Sequence, residues 1–347
     1  MKEKLLGKSL QELRQVAAEL SLPSFAAKQL AQWLYEKQVR SFDGMTNLSK
    51  AARAALSERY EIGLTPYAGS VTSKDGTRKY LFPAGIEEKY IETVMIPQCE
   101  GDGGLERATI CVSSQIGCKM GCRFCMTGRG GFHGQLDTAQ ILSQFIMIDE
   151  AQELTNAVFM GMGEPLDNWE NVRRALEVLT ADWGFAWSPK RITLSTVGVV
   201  PKLKEYLDTS RCHLAVSLHN PFPQERLEMM PVQKGYPLEE VVALLRQYDF
   251  SGQRRVSFEY IMFDGWNDTR RHGDALVRLL RGLECRINLI RFHAIPDFSL
   301  KPSPPRAIET FKARLNAAGI TTTLRASRGE DVMAACGLLA GKGLNKQ

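Results

Sequence analysis

From Arg107 onward the sequence alternates apolar extended runs with helical ones, and that alternation limits the fold more than any other feature. The runs are "RATICVS", "TAQILSQFIMIDEA", "NAVFMGM", "NVRRALEVL", "RITLSTV", "PKLKEYL", "HLAVSLH", "LEEVVALLRQY", "RVSFEYIMF", "GDALVRLLRGL", "RINLI", "AIETFKARLNAAG" and "TTTLRAS". Repeated strand–helix units joined by right-handed crossovers give a parallel sheet with helices outside. The expected fold is therefore α/β, with the sheet curled into an open or partial barrel. Polar signals collect where strands end: "GMGEP", "STVG", "SLHNP" and "RFHAIP". In such folds the carboxyl ends of the strands form the site.

The first sixty residues read differently. "SLQELRQVAAEL" begins with Ser9 and Glu12 in capping-box spacing and sets Leu10, Leu13, Val16 and Leu20 on one face. "FAAKQLAQWLYEK" and "LSKAARAALSERY" continue as helices, so residues 1–75 are expected to be a small helical accessory domain. Within 76–106, "RKYLF", "PAG" and "EKYIETVMIP" predict a β-hairpin linker followed by the glycine-rich "EGDGGLE". Residues 107–347 are the expected core, ending in the tail "RGEDVMAACGLLAGKGLNKQ" with a flexible Gly/Lys end.

The chain of 347 residues carries a formal charge of +5 without long basic blocks, compatible with a polyanionic partner and equally with an ordinary cytosolic protein. No stretch has the length and apolarity of a signal peptide or membrane span, so a cytoplasmic protein without membrane contact is expected. In a reducing compartment its eight cysteines argue for metal or redox chemistry over a disulfide framework. Cys99, Cys212 and Cys285 read as small buried hydrophobes.

"GCKMGCRFCMTG" gathers Cys118, Cys122 and Cys125 at C-x3-C-x2-C spacing, and the next cysteine in sequence is as distant as Cys212. Structural zinc sites and the clusters of electron carriers close with four ligands. Three thiolates on a four-iron cluster leave one iron open to a reactant. A zinc knuckle completed by His133, or an iron–sulfur electron carrier, are the competing readings. A thioredoxin-like pair of Cys122 and Cys125 leaves Cys118 idle.

This loop, placed after the first strand of a strand–helix series and followed by "GMGEP", resembles the radical S-adenosylmethionine (SAM) superfamily. "CVSSQIGCKMGCRFCMTG", "FMGMGEPLDNW", "ITLSTVGVVPKL", "LAVSLHNP", "LEMMPVQKGYPLEEV" and "SRGEDVMAACGLLAG" stand in the order of the RlmN/Cfr family of radical SAM RNA methyltransferases. The resemblance implies a partial (β/α)6 barrel, a [4Fe-4S] cluster on Cys118, Cys122 and Cys125, and two SAM molecules per methylation. Gly163 and Glu164 would meet the SAM methionine portion, with Ser195, Ser217, Leu218 and His219 binding the rest. His293 falls where many members have Asn, and Leu338 where relatives often have Gln. For Ser195 and His219 the residues alone equally allow a satisfied strand end and a hydrogen-bonded core histidine.

Carbon 2 of adenine is electron-poor and does not attack a methyl sulfonium, so a radical route is required. By the resemblance, a first SAM methylates Cys336, and a radical made from a second removes hydrogen from that S-methyl group. The methylene radical adds to the adenine, Glu92 takes the proton from the attacked carbon, and Cys111 attacks sulfur to form a Cys111–Cys336 disulfide. Glu92 read alone is a solvent-facing strand residue, and Cys336 is helix packing.

The implied substrates are an adenosine in the peptidyl transferase region of 23S ribosomal RNA and the adenosine after the anticodon of transfer RNA. Flavodoxin or ferredoxin is the implied electron donor. The Cfr branch would methylate carbon 8 instead, and a zinc-stabilised, non-catalytic RNA-binding protein is the alternative of another class. Reaching a base edge requires a splayed nucleotide held by basic and planar side chains. Lys28, Lys37 and Arg40 with Trp33, Tyr35 and Phe42 are candidates, set against a solvated helical face over an aromatic core.

Overall fold

The computed structural model describes residues 2–99, 104–252 and 254–341. Residues 100–103 of the "EGDGGLE" loop and the last six residues of the tail, with its expected flexible end, therefore lie outside the described residues. The leader starts with strand β1 (Glu3–Lys4) and helix α1 (Leu10–Glu19). Ser9 caps α1: its hydroxyl accepts from the Glu12 N–H at 3.2 Å, and the Glu12 carboxylate accepts from the Ser9 N–H at 2.7 Å. Such a cap is worth about 1 kcal/mol. Helices α2 (Ala26–Ala31) and α3 (Lys50–Arg59) follow, and β2 (Tyr60–Glu61) pairs in parallel with β1.

The stretch that reads as one helix, "FAAKQLAQWLYEK", changes character midway: Gln32–Glu36 is a widened π turn. There Tyr35 is buried, its hydroxyl donating to the Lys8 carbonyl at 2.6 Å and accepting from the Gly7 N–H at 3.2 Å. Its ring packs on Trp183 and Phe185, which withdraws it from the aromatics offered for RNA stacking. Lys28, Lys37 and Arg40 remain exposed, and Trp33 and Phe42 half-buried, with Lys37 Nζ 4.3 Å above the Trp33 ring.

An antiparallel meander of β3 (Gly69–Thr72), β4 (Arg78–Pro83) and β5 (Tyr90–Cys99) runs into β6 (Leu105–Cys111). The expected hairpin is present, and it is hydrogen-bonded into the main sheet. Next come β7 (Gln115–Gly117), the cysteine loop with the short α4 (Met126–Arg129), and β8 (Phe132–Gln135), which closes on β7. Strand–helix units then succeed one another: α5 (Thr138–Ile146), β9 (Asn156–Phe159), α6 (Trp169–Thr180), β10 (Ile192–Thr196), α7 (Val200–Thr209) and β11 (His213–Ser217). The series ends with α8 (Pro223–Met229), α9 (Leu238–Leu245), β12 (Val256–Met262), α10 (Arg270–Leu280), β13 (Arg286–Arg291), α11 (Pro305–Ala317) and β14 (Thr321–Leu324). The sheet order is β14-β13-β12-β11-β10-β9-β6-β5-β4-β3, open at both ends. From β6 to β14 it is parallel, and β14 adds a seventh strand to the six expected.

Register separates the two faces of this sheet. Paired residues share a face, and so do residues two apart on one strand. One face carries Ile110, Ala157, Leu194, Leu214, Phe258 and Ile287, all buried in the hydrophobic core. The other face carries Lys79, Glu92, Cys111, Ser195, Ser217 and Glu259, continued by Asn288 and Thr323. The concave side thus carries polar side chains on eight of the ten strands, and it faces the site. Of the cysteines expected to be buried, Cys212 is, Cys285 is half-buried, and Cys99 is exposed because it sits where β5 leaves the sheet.

Candidate functional site

The cysteine loop is pinned at both ends by backbone bonds. The Cys118 N–H donates to Gly131 O at 2.9 Å, and the Cys125 N–H to Cys122 O at 3.1 Å. Cys122 is buried and Cys118 and Cys125 half-buried. Burial pushes the Cys118 thiol up to about 12, with Glu164 and Cys125 adding to it. Cys122 lies well above its ordinary value for the same reason, with Cys125 and Cys118 as charged neighbours. Thiols so placed ionise only beside cationic centres, which is what cluster irons provide. Among the described residues no three His, Cys, Asp or Glu side chains converge on one point, as ligands of a single ion would. A four-iron cluster makes no such demand, since each thiolate takes its own iron. His133, the fourth ligand in the competing zinc reading, bonds the Gly130 carbonyl at 3.0 Å through Nε2.

The "GMGEP" turn follows β9. Gly163 has φ +100°, and a Cβ there would meet Gln115 Cβ at 2.5 Å, so the turn packs tightly against the cluster loop's strand. Glu164 is 3% exposed, and its two carboxylate oxygens accept from the N–H groups of Leu166 at 3.0 Å and Val197 at 2.9 Å. Burial raises its pKa to about 7 against those bonds. A buried carboxylate beside the cysteine loop is suited to an ammonium-bearing ligand.

Ser195 and Ser217 lie half-buried on the concave face, and Leu218 is fully buried. The Ser217 and Leu218 carbonyls accept from Arg226, a buried guanidinium that also holds the Val197 carbonyl. His219 has a left-handed backbone, φ 57°, and its Nδ1 accepts from the Ile261 N–H at 3.1 Å. Its ring meets Phe124 of the cysteine loop edge-on at 5.0 Å. Burial, and then Arg226, lower its pKa to about 3, so the imidazole is neutral.

Cys111, Cys125, His293 and Cys336 line one cavity of about 620 Å³. Cys111 is buried at the end of β6, while Cys336 is exposed on the tail. Burial pushes Cys111 up to about 12, Cys336 adds to this, and Arg325 opposes it. Cys336 raises the pKa of Arg325, which bonds Glu259 at 3.3 Å and Met160 Sδ at 3.1 Å. Glu259 is in turn held by Asn288 at 2.7 Å and Ser257 at 3.2 Å. His293 accepts or donates at Ser327 Oγ, 3.1 Å away, and burial lowers its pKa.

Glu92 is 1% exposed, not solvent-facing. Its backbone is tied to the "GMG" turn: Ser113 Oγ donates to Glu92 O at 2.6 Å and accepts from Met162 N–H at 2.8 Å. One carboxylate oxygen accepts from the tail Ala340 N–H at 3.2 Å; the other stands 3.9 Å from Lys79 Nζ. The tail is also fixed to the cysteine loop, through Met126 N–H to Gly337 O at 2.8 Å and Thr127 Oγ to Leu339 O at 2.7 Å. The structure thus gathers Cys111, Cys125, His293 and Cys336 around one cavity, sets Glu164 by the cysteine loop, and ties Glu92 to the tail. Arg226, Arg325, Glu259 and Lys79 went unnoticed in the sequence. The leader contributes a separate groove of about 1310 Å³ whose walls include Lys2, Lys4, Arg40, Lys50 and Arg53.

The radical SAM superfamily model matches residues 112–275, and that of the ribosomal RNA large subunit methyltransferase N-terminal domain matches 3–62. A probable dual-specificity RNA methyltransferase RlmN of Porphyromonas gingivalis is 55% identical over 97% of this chain and 96% of its own length. The dual-specificity RNA methyltransferase RlmN of Syntrophus aciditrophicus is 41% identical over 98% and 97%. The crystal structure of a radical SAM methyltransferase from Sphaerobacter thermophilus superposes with a TM-score of 0.90, at 36% identity, covering 98% of this chain and all of that one. With both parts of the chain matched and the cysteine loop, turn and tail assembled at one end of the barrel, the chain belongs to the RlmN family of radical SAM RNA methyltransferases.

Proposed function

We propose that this protein methylates carbon 2 of an adenosine in the peptidyl transferase region of 23S ribosomal RNA and of the adenosine 3′ to the anticodon in transfer RNA. The observation that carries the reading is the cavity shared by Cys111, Cys336 and cluster-loop Cys125, with Glu92 fastened to the same tail as Cys336. Cys118, Cys122 and Cys125 would hold a [4Fe-4S] cluster. Gly163, Glu164, Ser195, Ser217, Leu218, His219 and His293 would seat SAM, with Glu164 receiving its ammonium. When bound, these groups supply a methyl group and a hydrogen-abstracting radical, at two SAM per product.

The chain's own residues do the rest. Cys336 accepts the methyl group and carries it to the base, on a tail segment that can leave the cavity. Glu92 takes the proton from the attacked carbon. Cys111, on a strand that cannot follow the tail, attacks the Cys336 sulfur as the sulfur–methylene bond breaks; the methylene carbon gains the Cys111 proton, the adduct's odd electron would return to the cluster, and a Cys111–Cys336 disulfide remains as the methylated base departs. Within residues 1–75 the part before β3 forms the RNA-binding domain, whose basic groove suits a phosphate backbone. β3 and the segment 76–106, expected as accessory domain and linker, are instead hydrogen-bonded into the sheet of the core at 107–347. Electrons come from a flavodoxin or ferredoxin in the cytoplasm; among the described residues no helix is long and apolar enough to cross a membrane.

Nucleoside mass spectrometry on unmodified 23S RNA, incubated anaerobically with reconstituted protein, SAM and reductant, tests this. The expected product is 2-methyladenosine, absent with Cys336→Ala and with Cys118→Ala, while Cys111→Ala leaves protein covalently attached to RNA. The product 8-methyladenosine would move the reaction to the Cfr type, and a Cys111→Ala variant that turns over normally would refute the resolving role.

A further inference from the structure

Lys79 is a lysine at 1% exposure inside the sheet, a costly place for an ammonium without a compensating charge. Its position follows from register. Lys79 on β4 pairs with Val94 on β5, which pairs with Cys111 on β6, and Glu92 lies two residues before Val94. All three functional side chains therefore stand on the concave face. Lys79 Nζ is 3.9 Å from Glu92 Oε1, beyond hydrogen-bonding distance and within range of charge pairing. Lys79 thus acts on the carboxylate through charge while leaving that oxygen's lone pairs open.

The other groups packed around Glu92 do not duplicate this charge. From β6 the facing titratable group is Cys111; Ser113 and Met162 bond the Glu92 backbone; the tail presents the amides of Ala340 and Gly341. The amides are lost when the tail carries Cys336 away. Lys79, on a strand paired on both sides, stays. Burial raises the Glu92 pKa and Lys79 lowers it; burial also lowers that of Lys79, which Glu92 raises.

We propose that Lys79 is a positioning residue for proton transfer, holding the Glu92 carboxylate ionised within the sheet so that it can accept the proton from the attacked adenine carbon. This rests on the reading of Glu92 as the base. In the step, the C–H bond breaks, its electron pair stays with the ring, and the proton ends on a Glu92 oxygen. The Lys79–Glu92 pair passes from neutral to a single positive charge.

The test uses the cluster-loaded enzyme with RNA and SAM, comparing Lys79→Met, Lys79→Arg and Glu92→Gln. Without the ammonium, Glu92 is protonated at neutral pH and the base stays crosslinked. Lys79→Met is expected to accumulate protein–RNA adduct on a denaturing gel. Product formation should fall about tenfold for each unit by which the carboxyl pKa comes to exceed the assay pH, and recover as pH rises. Lys79→Arg should restore turnover. Independently of turnover, infrared difference spectra of Lys79→Met should show a protonated carboxyl band that Glu92→Gln removes. If Lys79→Met does not fold, as judged by circular dichroism and cluster absorbance, Lys79→Gln is read in the same way.

Turnover without adduct, or an ionised Glu92 band in the neutral variant, overturns the proposal. Should Glu92→Gln itself turn over normally, the assignment of Glu92 as base fails instead, whatever Lys79 does.

Discussion

Replacing Gly163 by Ala tests how tightly the "GMGEP" turn is built. At φ +100° a side chain costs about 1–3 kcal/mol in backbone strain alone. The added Cβ would also lie 2.5 Å from Gln115 Cβ and 2.8 Å from its backbone nitrogen. Gln115 has little room to yield: Oε1 accepts from the Glu164 N–H at 2.8 Å, and Nε2 donates to Asp167 at 2.7 Å and Gln135 at 2.8 Å. Overlap of this kind costs about 1–3 kcal/mol more, for a total of about 2–6 kcal/mol. Gly319, in the turn between α11 and β14, is the matched control, with φ +84° and open space around its would-be Cβ. Gly319→Ala bears strain alone. Urea midpoints of the cluster-loaded variants, followed by circular dichroism under anaerobic conditions, should therefore differ by the overlap cost. SAM binding by equilibrium dialysis should weaken only in Gly163→Ala, whose clash displaces Glu164. Equal midpoints, or unchanged SAM affinity in a folded Gly163→Ala, would show that the crowding does not matter.

Arg226→Met removes the donor shared by the carbonyls of Val197, Ser217 and Leu218 and the amide oxygen of Gln233; Leu218 and Gln233 keep the N–H groups of Asn220 and Leu238, so at about 1–3 kcal/mol for each of the other two the unfolding free energy should fall by about 2–6 kcal/mol. Arg226→Lys should recover little of this in the same urea titration, since one ammonium cannot span those acceptors. His213, whose Nδ1 accepts from the Arg255 N–H at 3.0 Å, is held at about 4 by burial and then by Arg255. Its folded pKa lies below the unfolded 6.5, so the unfolded chain binds the extra proton, and stability declines as pH falls from about 6.5 to 4. His213→Gln should flatten that part of a stability–pH curve, by about 3 kcal/mol at most; a curve of unchanged slope would refute it.

The strand–helix order was legible because each segment repeats a period, and the cysteine loop because three thiols at that spacing have few uses. What escaped was burial of charge. Lys79 and Arg226 carry no local mark, since the same letters on a solvated strand or helix read identically; only register and crossover place them inside. Glu92 read alone as solvent-facing for this reason, and Tyr35 stayed open between RNA stacking and an aromatic core because a widened turn does not differ from a helix in composition. The polar concave face did leave a trace, in the alternation of Thr193 and Ser195 with Ile192 and Leu194, and of Ser257 and Glu259 with Phe258 and Tyr260. Strands covered by helices on both sides lack such alternation. Read strand by strand, it points to a lined interior.

The tail's attachments have a mechanical consequence. Ala340 lies four residue steps beyond Cys336, about 14 Å of fully extended chain. Any excursion of the cysteine beyond that leash draws the Ala340 amide off Glu92. Departure of the thiol and unveiling of the carboxylate are one motion, so the order of events is kept by chain length, with no separate sensor.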